Sequence, residues 1–198
     1  MRRQTIVTGL GAAVIGSLVT MSLYAQATGK LEQAKPKGGG MMMMSGSAVT
    51  KAVAVLHATK SGGEAHGEVT FTKVEGGIRV EGEVRGLTPG KHGFHIHEFG
   101  DVSSPDAMSA GSHFNPMKSE HGAPTGDKRH VGDLGNLEAG PRGNAKVDFV
   151  DKHLSFSGPT SIIGRGVIVH EKADDFGQPV GNAGTRVAAG VVGVAKGS

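Results

Sequence analysis

The chain has 198 residues, 34 of them glycine and none of them cysteine, with 21 Lys and Arg against 18 Asp and Glu. That length suits one ordinary domain plus a terminal extension, and without thiolates any metal must be held by His, Asp, Glu or Met. Two of the basic residues, Arg2 and Arg3, sit at the extreme N-terminus; the rest of the chain is close to neutral, which argues against nucleic acid as a partner.

Arg2 and Arg3 precede an uncharged stretch from Thr5 to Ala25, and Ala25-Gln26-Ala27 supplies the small-x-small pattern of a signal-peptidase site. Residues 1–27 therefore read as a secretion signal, and the protein as exported, periplasmic or extracellular. Left uncleaved, the stretch would serve as a membrane anchor, since it is just long enough to span a bilayer. Residues 28–47, TGKLEQAKPKGGGMMMMSGS, have no apolar periodicity and read as a disordered linker carrying the thioether run Met41–Met44.

The pattern changes in the domain, residues 48–198. Short stretches rich in Val, Ile and Phe alternate with Gly-containing turns, which predicts strands near 49–58, 66–74, 78–86, 92–99, 144–150, 153–157, 165–170 and 186–194. Two segments exceed any hairpin turn, 100–143 and 171–185, and long irregular loops in a compact domain are usually functional. Eight short strands without a helix or a repeat predict an all-β domain, an eight-stranded Greek-key sandwich or flattened barrel with two long functional loops.

Histidine is concentrated beside those loops. His95 and His97 are two apart in a predicted strand, so both fall on one face with Cα atoms about 6.6 Å apart, able to share one metal. The following loop supplies His113, His121, His130 and Asp133, three imidazoles and a carboxylate, a closed set suited to tetrahedral zinc. A solvated polar loop explains any one of these residues but poorly explains all four.

Five segments carry a resemblance: GFHIHEFGD at 93–101, AGSHFNP at 110–116, HGAPTGDKRHVGDLGN at 121–136, IIGRGVIVHEKADD at 162–175 and GNAGTRVAAGVVGVAK at 181–196. In this order they resemble the signatures of the copper,zinc superoxide dismutases, over essentially the whole domain. The resemblance implies an oxidoreductase that disproportionates superoxide to oxygen and hydrogen peroxide by Cu(II)/Cu(I) cycling. It implies copper on His95, His97, His113 and His170, and structural zinc on His113, His121, His130 and Asp133. His113 is then the bridge, ligating through both nitrogens as imidazolate. Asp174 matches an aspartate linking a copper His to a zinc His, here His95 and His121. Arg186 matches the arginine that lies beside copper and attracts the anionic substrate. His113 and Arg186 are thus the catalytic residues, and a homodimer is the partner state to expect. His92 reads as packing under the copper strand, and His57, His66 and His153 as surface or structural.

The chain departs from the family pattern twice. Ala107 and Ala189 stand near the positions of the usual intrachain disulfide, so packing must hold the loop 100–113, a task for which such a bond typically supplies ~2–4 kcal/mol. The loop 174–185 has no charged side chain between Asp175 and Arg186. Substrate guidance, which this family itself exemplifies and which raises on-rates by ~10 to 10³, should then rest on Arg186 with Lys172, and depend weakly on salt. The competing reading is an exported, non-catalytic copper/zinc-binding or copper-handling protein on the same fold. The full ligand set together with Asp174 and Arg186 favours the enzyme.

Overall fold

The computed structural model describes residues 48–197. The expected signal over 1–27, the linker over 28–47 and Met41–Met44 lie outside the described residues. Among the described residues no helix is long and apolar enough to cross a membrane.

Nine strands form among these residues: β1 (Lys51–Ala58), β2 (His66–Val74), β3 (Gly77–Arg85), β4 (Gly90–His97), β5 (Asp133–Ala139), β6 (Ala145–Asp151), β7 (Gly166–His170), β8 (Arg186–Val191) and the two-residue β9 (Gly193–Val194). Alternation drives the outer ones. In β1 Ala52, Ala54 and Leu56 are buried, and in β2 Val69 and Phe71 face inward while their neighbours face out, the period of a half-buried strand. Every pairing is antiparallel, in the order β5-β4-β7-β8-β1-β2-β3-β6, with β9 beside β1. The end strands β5 and β6 are joined directly by a tight turn, Gly143 N–H donating to Gly140 O at 2.9 Å. The sheet thus curls into a nearly closed, eight-stranded flattened barrel around Leu56, Phe71, Val80, Phe94, Ile96 and Val169.

Two expectations are corrected. The segment 100–143 is not one loop, because its end forms β5. Its alternation is hidden by a register shift against β4 between Gly93 and His95, with Gly135 at φ 83°. Leu134, Leu137 and Ala139 are all buried around that irregularity, so inward residues do not fall at a constant spacing of two. Conversely, 153–157 is not a strand. Asp151 Oδ1 accepts from the N–H groups of His153 and Leu154 at 2.7 and 3.1 Å, and Ser155 Oγ donates to Ser157 O at 2.5 Å. Such local side-chain bonds compete with a ladder, and only the single bridge between Ser155 and Ser161 remains.

β4 is buried on both faces. Phe94 and Ile96 enter the core while His95 and His97 point to the opposite face, under the loops. A second, smaller cluster of Ala107, Ala110, Ile168 and Ala189, with Val102 against it, pins the first loop to the barrel. Ala107 and Ala189 thus lie in one packed apolar cluster near the positions where the family pattern has its disulfide.

Candidate metal centre

The first loop leaves β4 and folds back along it. Glu98 and Phe99 N–H groups donate to Ser112 O and Ala110 O at 2.9 and 3.0 Å, and Phe114 N–H to Ile96 O at 2.8 Å. A single β-bridge sets His113 beside His97, so a residue sixteen positions on arrives at the strand that carries the first pair. β7 pairs with β4 and ends at His170. The second loop, 171–185, lies over the other side.

Two buried clusters result, each with its candidate ligand atoms within 4.8 Å of one another: His95, His97, His113 and His170, and His113, His121, His130 and Asp133. His113 belongs to both. Its Nδ1 lies 2.9 Å from Asp133 Oδ1, which leaves Nε2 for the all-histidine set. The Nδ1 atoms of His121 and His130 also converge on the Asp133 carboxylate, at 3.0 and 3.1 Å. The His113 ring centroid is 4.0 Å from that of His95 and 5.2 Å from that of His121.

The remaining ring nitrogens decide what these clusters are for. His97 Nδ1 and His170 Nδ1 donate to the carbonyls of Gly111 and Gly184 at 3.0 and 3.2 Å. His95 Nε2 and His121 Nε2 donate to the two oxygens of Asp174 at 2.8 and 2.9 Å. The opposite nitrogens of the all-histidine set, His97 Nε2, His170 Nε2 and His95 Nδ1, are buried and have no hydrogen-bond partner, while His121 Nδ1 faces the Asp133 carboxylate. Buried polar atoms are nearly always satisfied, so three orphaned lone pairs aimed into the all-histidine cluster fit a bound cation there, and the imidazoles gathered on the Asp133 carboxylate fit a second. A third grouping, His95, His121 and Asp174, is a hydrogen-bonded bridge, because both imidazoles donate to the carboxylate there.

Electrostatics agrees with that assignment. Burial pushes His97 well below its usual range, His113 down to about 4 and His170 to about 3, so these rings are neutral and ready to ligate near pH 7. Burial also opposes charge on His121, but its hydrogen bonds to Asp133 and Asp174 outweigh that and raise it to about 9. Burial likewise opposes ionisation of Asp133, yet hydrogen bonds from His113, His121 and His130 hold it far below the usual carboxylate range. A cation entering beside Asp133 therefore displaces a proton from the imidazole group.

A cavity of about 730 Å³ opens over the all-histidine cluster, lined by His97, His113, His170, Arg186, Lys60 and Asp106 among others. The Arg186 guanidinium is held by Ala107 O and Gly111 O at 2.5 and 2.6 Å. It is positioned by carbonyls, so its charge is not cancelled.

A family model described as copper/zinc superoxide dismutase (SODC) matches residues 65–192. The chain belongs to the copper/zinc superoxide dismutase family. It is 46% identical over 153 residues to the "Extracellular superoxide dismutase [Cu-Zn]" of Brugia pahangi, covering 72% of this chain and 75% of that protein. It is also 46% identical over 157 residues to the "Superoxide dismutase [Cu-Zn]" of Onchocerca volvulus, covering 73% and 96%. Among solved structures it is similar to the "clock protein EA4", with a TM-score of 0.70 and 45% identity over 75% of this chain and 97% of that one.

Every site residue expected of a superoxide dismutase comes together here, including Asp174 and Arg186. His92 lies outside both clusters; its Nδ1 is 2.7 Å from His170 O and its Nε2 2.8 Å from Thr88 O. Lys172 does not line the cavity, whereas Lys60 does. Other supporting residues were not anticipated. Asn136 accepts from Asp174 N–H at 2.7 Å and donates to Asp174 O at 2.9 Å, fixing that backbone. Gln178 grips His121 in the same way, accepting its N–H at 3.1 Å and donating to its carbonyl at 2.8 Å. Phe176 stacks on the His121 ring, with centroids 6.4 Å apart. Gly181, at φ 79°, leaves room for the bridge, since a Cβ there would lie 1.9 Å from Asp174 Oδ1. The motif GNAG holds that glycine; the Asn136 and Gln178 contacts, 38 and 57 positions apart in sequence, leave no local signal.

Proposed function

We propose that this chain is an exported enzyme that disproportionates superoxide into oxygen and hydrogen peroxide, with copper held by His95, His97, His113 and His170 and zinc by His113, His121, His130 and Asp133. The observation that carries this reading is the sharing of His113, one nitrogen against Asp133 and the other left to a wholly imidazole set. The set with a carboxylate suits zinc, and the set of neutral imidazoles suits copper. When bound, copper supplies a Cu(II)/Cu(I) couple and zinc a redox-inert cation.

The chain's own part is to aim, desolvate and attract. Asp174 turns His95 and His121 so that both present Nδ1, while Gly111 and Gly184 carbonyls turn His97 and His170 to present Nε2. Burial keeps these rings in place, and His113 Nε2 is the ring atom that takes up and returns a proton for peroxide. Arg186 places a fixed positive charge on the wall of the cavity that an anion must enter. Loading the protein with both metals is expected to give rapid superoxide decay by pulse radiolysis. His170→Ala should remove at least about 100-fold of that rate, and Arg186→Ala about tenfold with copper retained. A fully loaded wild type without turnover would leave only the metal-carrying reading.

Export rests on Arg2, Arg3 and the Ala25-Gln26-Ala27 site, and is in keeping with the printed name of the Brugia pahangi relative. A homodimer is supported by apolar side chains on one face: Val55 is 49% exposed, Phe99 56% and Val191 36%. Val191 packs near Gly100 and lies with Val55 along one groove, so these residues form one patch of the kind that marks an interface. Native mass spectrometry of the exported protein should therefore find a chain beginning at Thr28 and twice its mass, and Val191→Lys should halve that mass. A monomeric wild type, or a chain that retains residues 1–27, counts against the corresponding half of this reading.

A further inference from the structure

Besides its imidazoles, the cavity over His97, His113 and His170 is lined by three ionisable side chains: Arg186, Lys60 and Asp106. Val180, Asn182 and Thr185 complete its rim, and the stretch 176–185 contains no charged residue. Lys60 belongs to the turn after β1, remote in sequence from both functional loops, yet its backbone is fixed from two sides. Thr59 continues the β1–β8 ladder, its N–H donating to Val187 O at 3.1 Å and its Oγ1 to Arg186 O at 2.5 Å. The Lys60 N–H donates to Pro105 O at 2.6 Å, two residues before the Ala107 carbonyl that holds the Arg186 guanidinium. Gly62 N–H then closes the turn on Thr59 O at 3.0 Å. The turn lies so close on β8 that a Cβ at Gly62 would stand 1.7 Å from Val187 O. Lys60 is therefore tied through its neighbour Thr59 to the start of β8, Lys60 and Arg186 are both held by the loop segment 105–111, and both line one opening.

Building on the superoxide reading above, we propose that Lys60 is a second substrate-guiding cation, supplied by the β1–β2 turn, that takes the place of charge absent from the 176–185 rim. Asp106, whose carboxylate caps the Met108 N–H at 3.0 Å, opposes it from the same wall. Asp106 offsets part of the positive charge on this wall, and Lys60 adds to the charge that Arg186 places at the entrance a small anion meets. The contribution is screened by salt, because the Debye length shrinks from about 30 Å at 0.01 M to about 8 Å at 0.15 M ionic strength.

The test uses the copper- and zinc-loaded protein at both of those ionic strengths. At the lower one, kcat/KM for superoxide should fall about twofold in Lys60→Gln and about fourfold in Lys60→Glu, and rise about twofold in Asp106→Asn. Lys60→Arg should match wild type, and all differences should shrink at the higher ionic strength. A second readout is the affinity for azide, followed by the visible spectrum of the copper protein, which should weaken in the same order. Unchanged rates and azide affinities in Lys60→Gln and Lys60→Glu would overturn the proposal. So would a loss that is equal at both ionic strengths and shared by Lys60→Arg, since that marks a structural turn. Azide affinity that follows the charge in a protein without superoxide turnover would uphold Lys60 as an anion guide while removing the dismutase reading.

Discussion

Asp174→Ala is expected to weaken the retention of both metals, by about 10- to 100-fold each, although Asp174 belongs to neither ligand set. Its Oδ2 accepts from His95 Nε2 and its Oδ1 from His121 Nε2, so one carboxylate fixes the tautomer and direction of one ring in each cluster. Burial disfavours its charge, but hydrogen bonds from His121, His95 and Phe176 N–H more than compensate and hold it below the usual carboxylate range. It therefore stays an acceptor throughout the working pH range. Without it, each ring can turn or place its proton on Nδ1, the nitrogen that its cluster needs. Asp174→Asn keeps the shape but offers one acceptor and one donor, so it should spare one ring and disturb the other, giving a smaller loss at a single site. Competition against graded chelators measures both affinities on the same samples. Wild-type retention of copper and zinc in Asp174→Ala would show that packing alone aims these rings. Asn136→Ala, which frees the Asp174 backbone, should give a weaker copy of the same defect.

The clustering of the candidate ligands was legible in the sequence because it is written in residue type and short spacing. The His95/His97 pair follows from strand period, and the set from His113 to Asp133 from ligand type. The joining of those sets through His113, and the roles of Asp174 and Arg186, came only from the resemblance, since residues that meet across 53 or 79 positions share no local pattern. β2 was placed residue for residue because buried Val69 and Phe71 alternate with polar neighbours that are half-buried or exposed. β5 was hidden because its irregularity at Gly135 moves the inward residues out of period. The loss of 153–157 as a strand turns on Asp151, whose acceptor oxygen captures the next N–H groups, a competition that propensity does not reveal. Lys60 was missed for a similar reason: its place beside Arg186 depends on how closely the Gly62 turn rests on β8.

Arg129→Leu is expected to cost about 3–5 kcal/mol of stability, because this buried guanidinium holds the zinc-side loop. The residue is 3% exposed and pairs with Asp151, itself 4% exposed, through Nη2. Its Nη1 donates to the carbonyls of His130, Val131 and Asp133 at 3.0, 3.2 and 3.0 Å. One guanidinium thus gathers the backbone around two candidate zinc ligands and ties it to the end of β6. Leucine would leave a buried carboxylate without its cation and three carbonyls without their donor, the situation in which breaking a buried pair is most costly. For a domain of this size that loss corresponds to a melting temperature lower by about 10 °C. Zinc retention should fall as well, because His130 and Asp133 lose the anchor between them. Replacing both partners, Arg129→Leu with Asp151→Leu, should recover part of the melting temperature, since no unpaired charge is then buried, but not the zinc affinity. A single variant that melts within about 2 °C of wild type in the metal-free state would show that water reaches this pair and that the loop is held by other contacts.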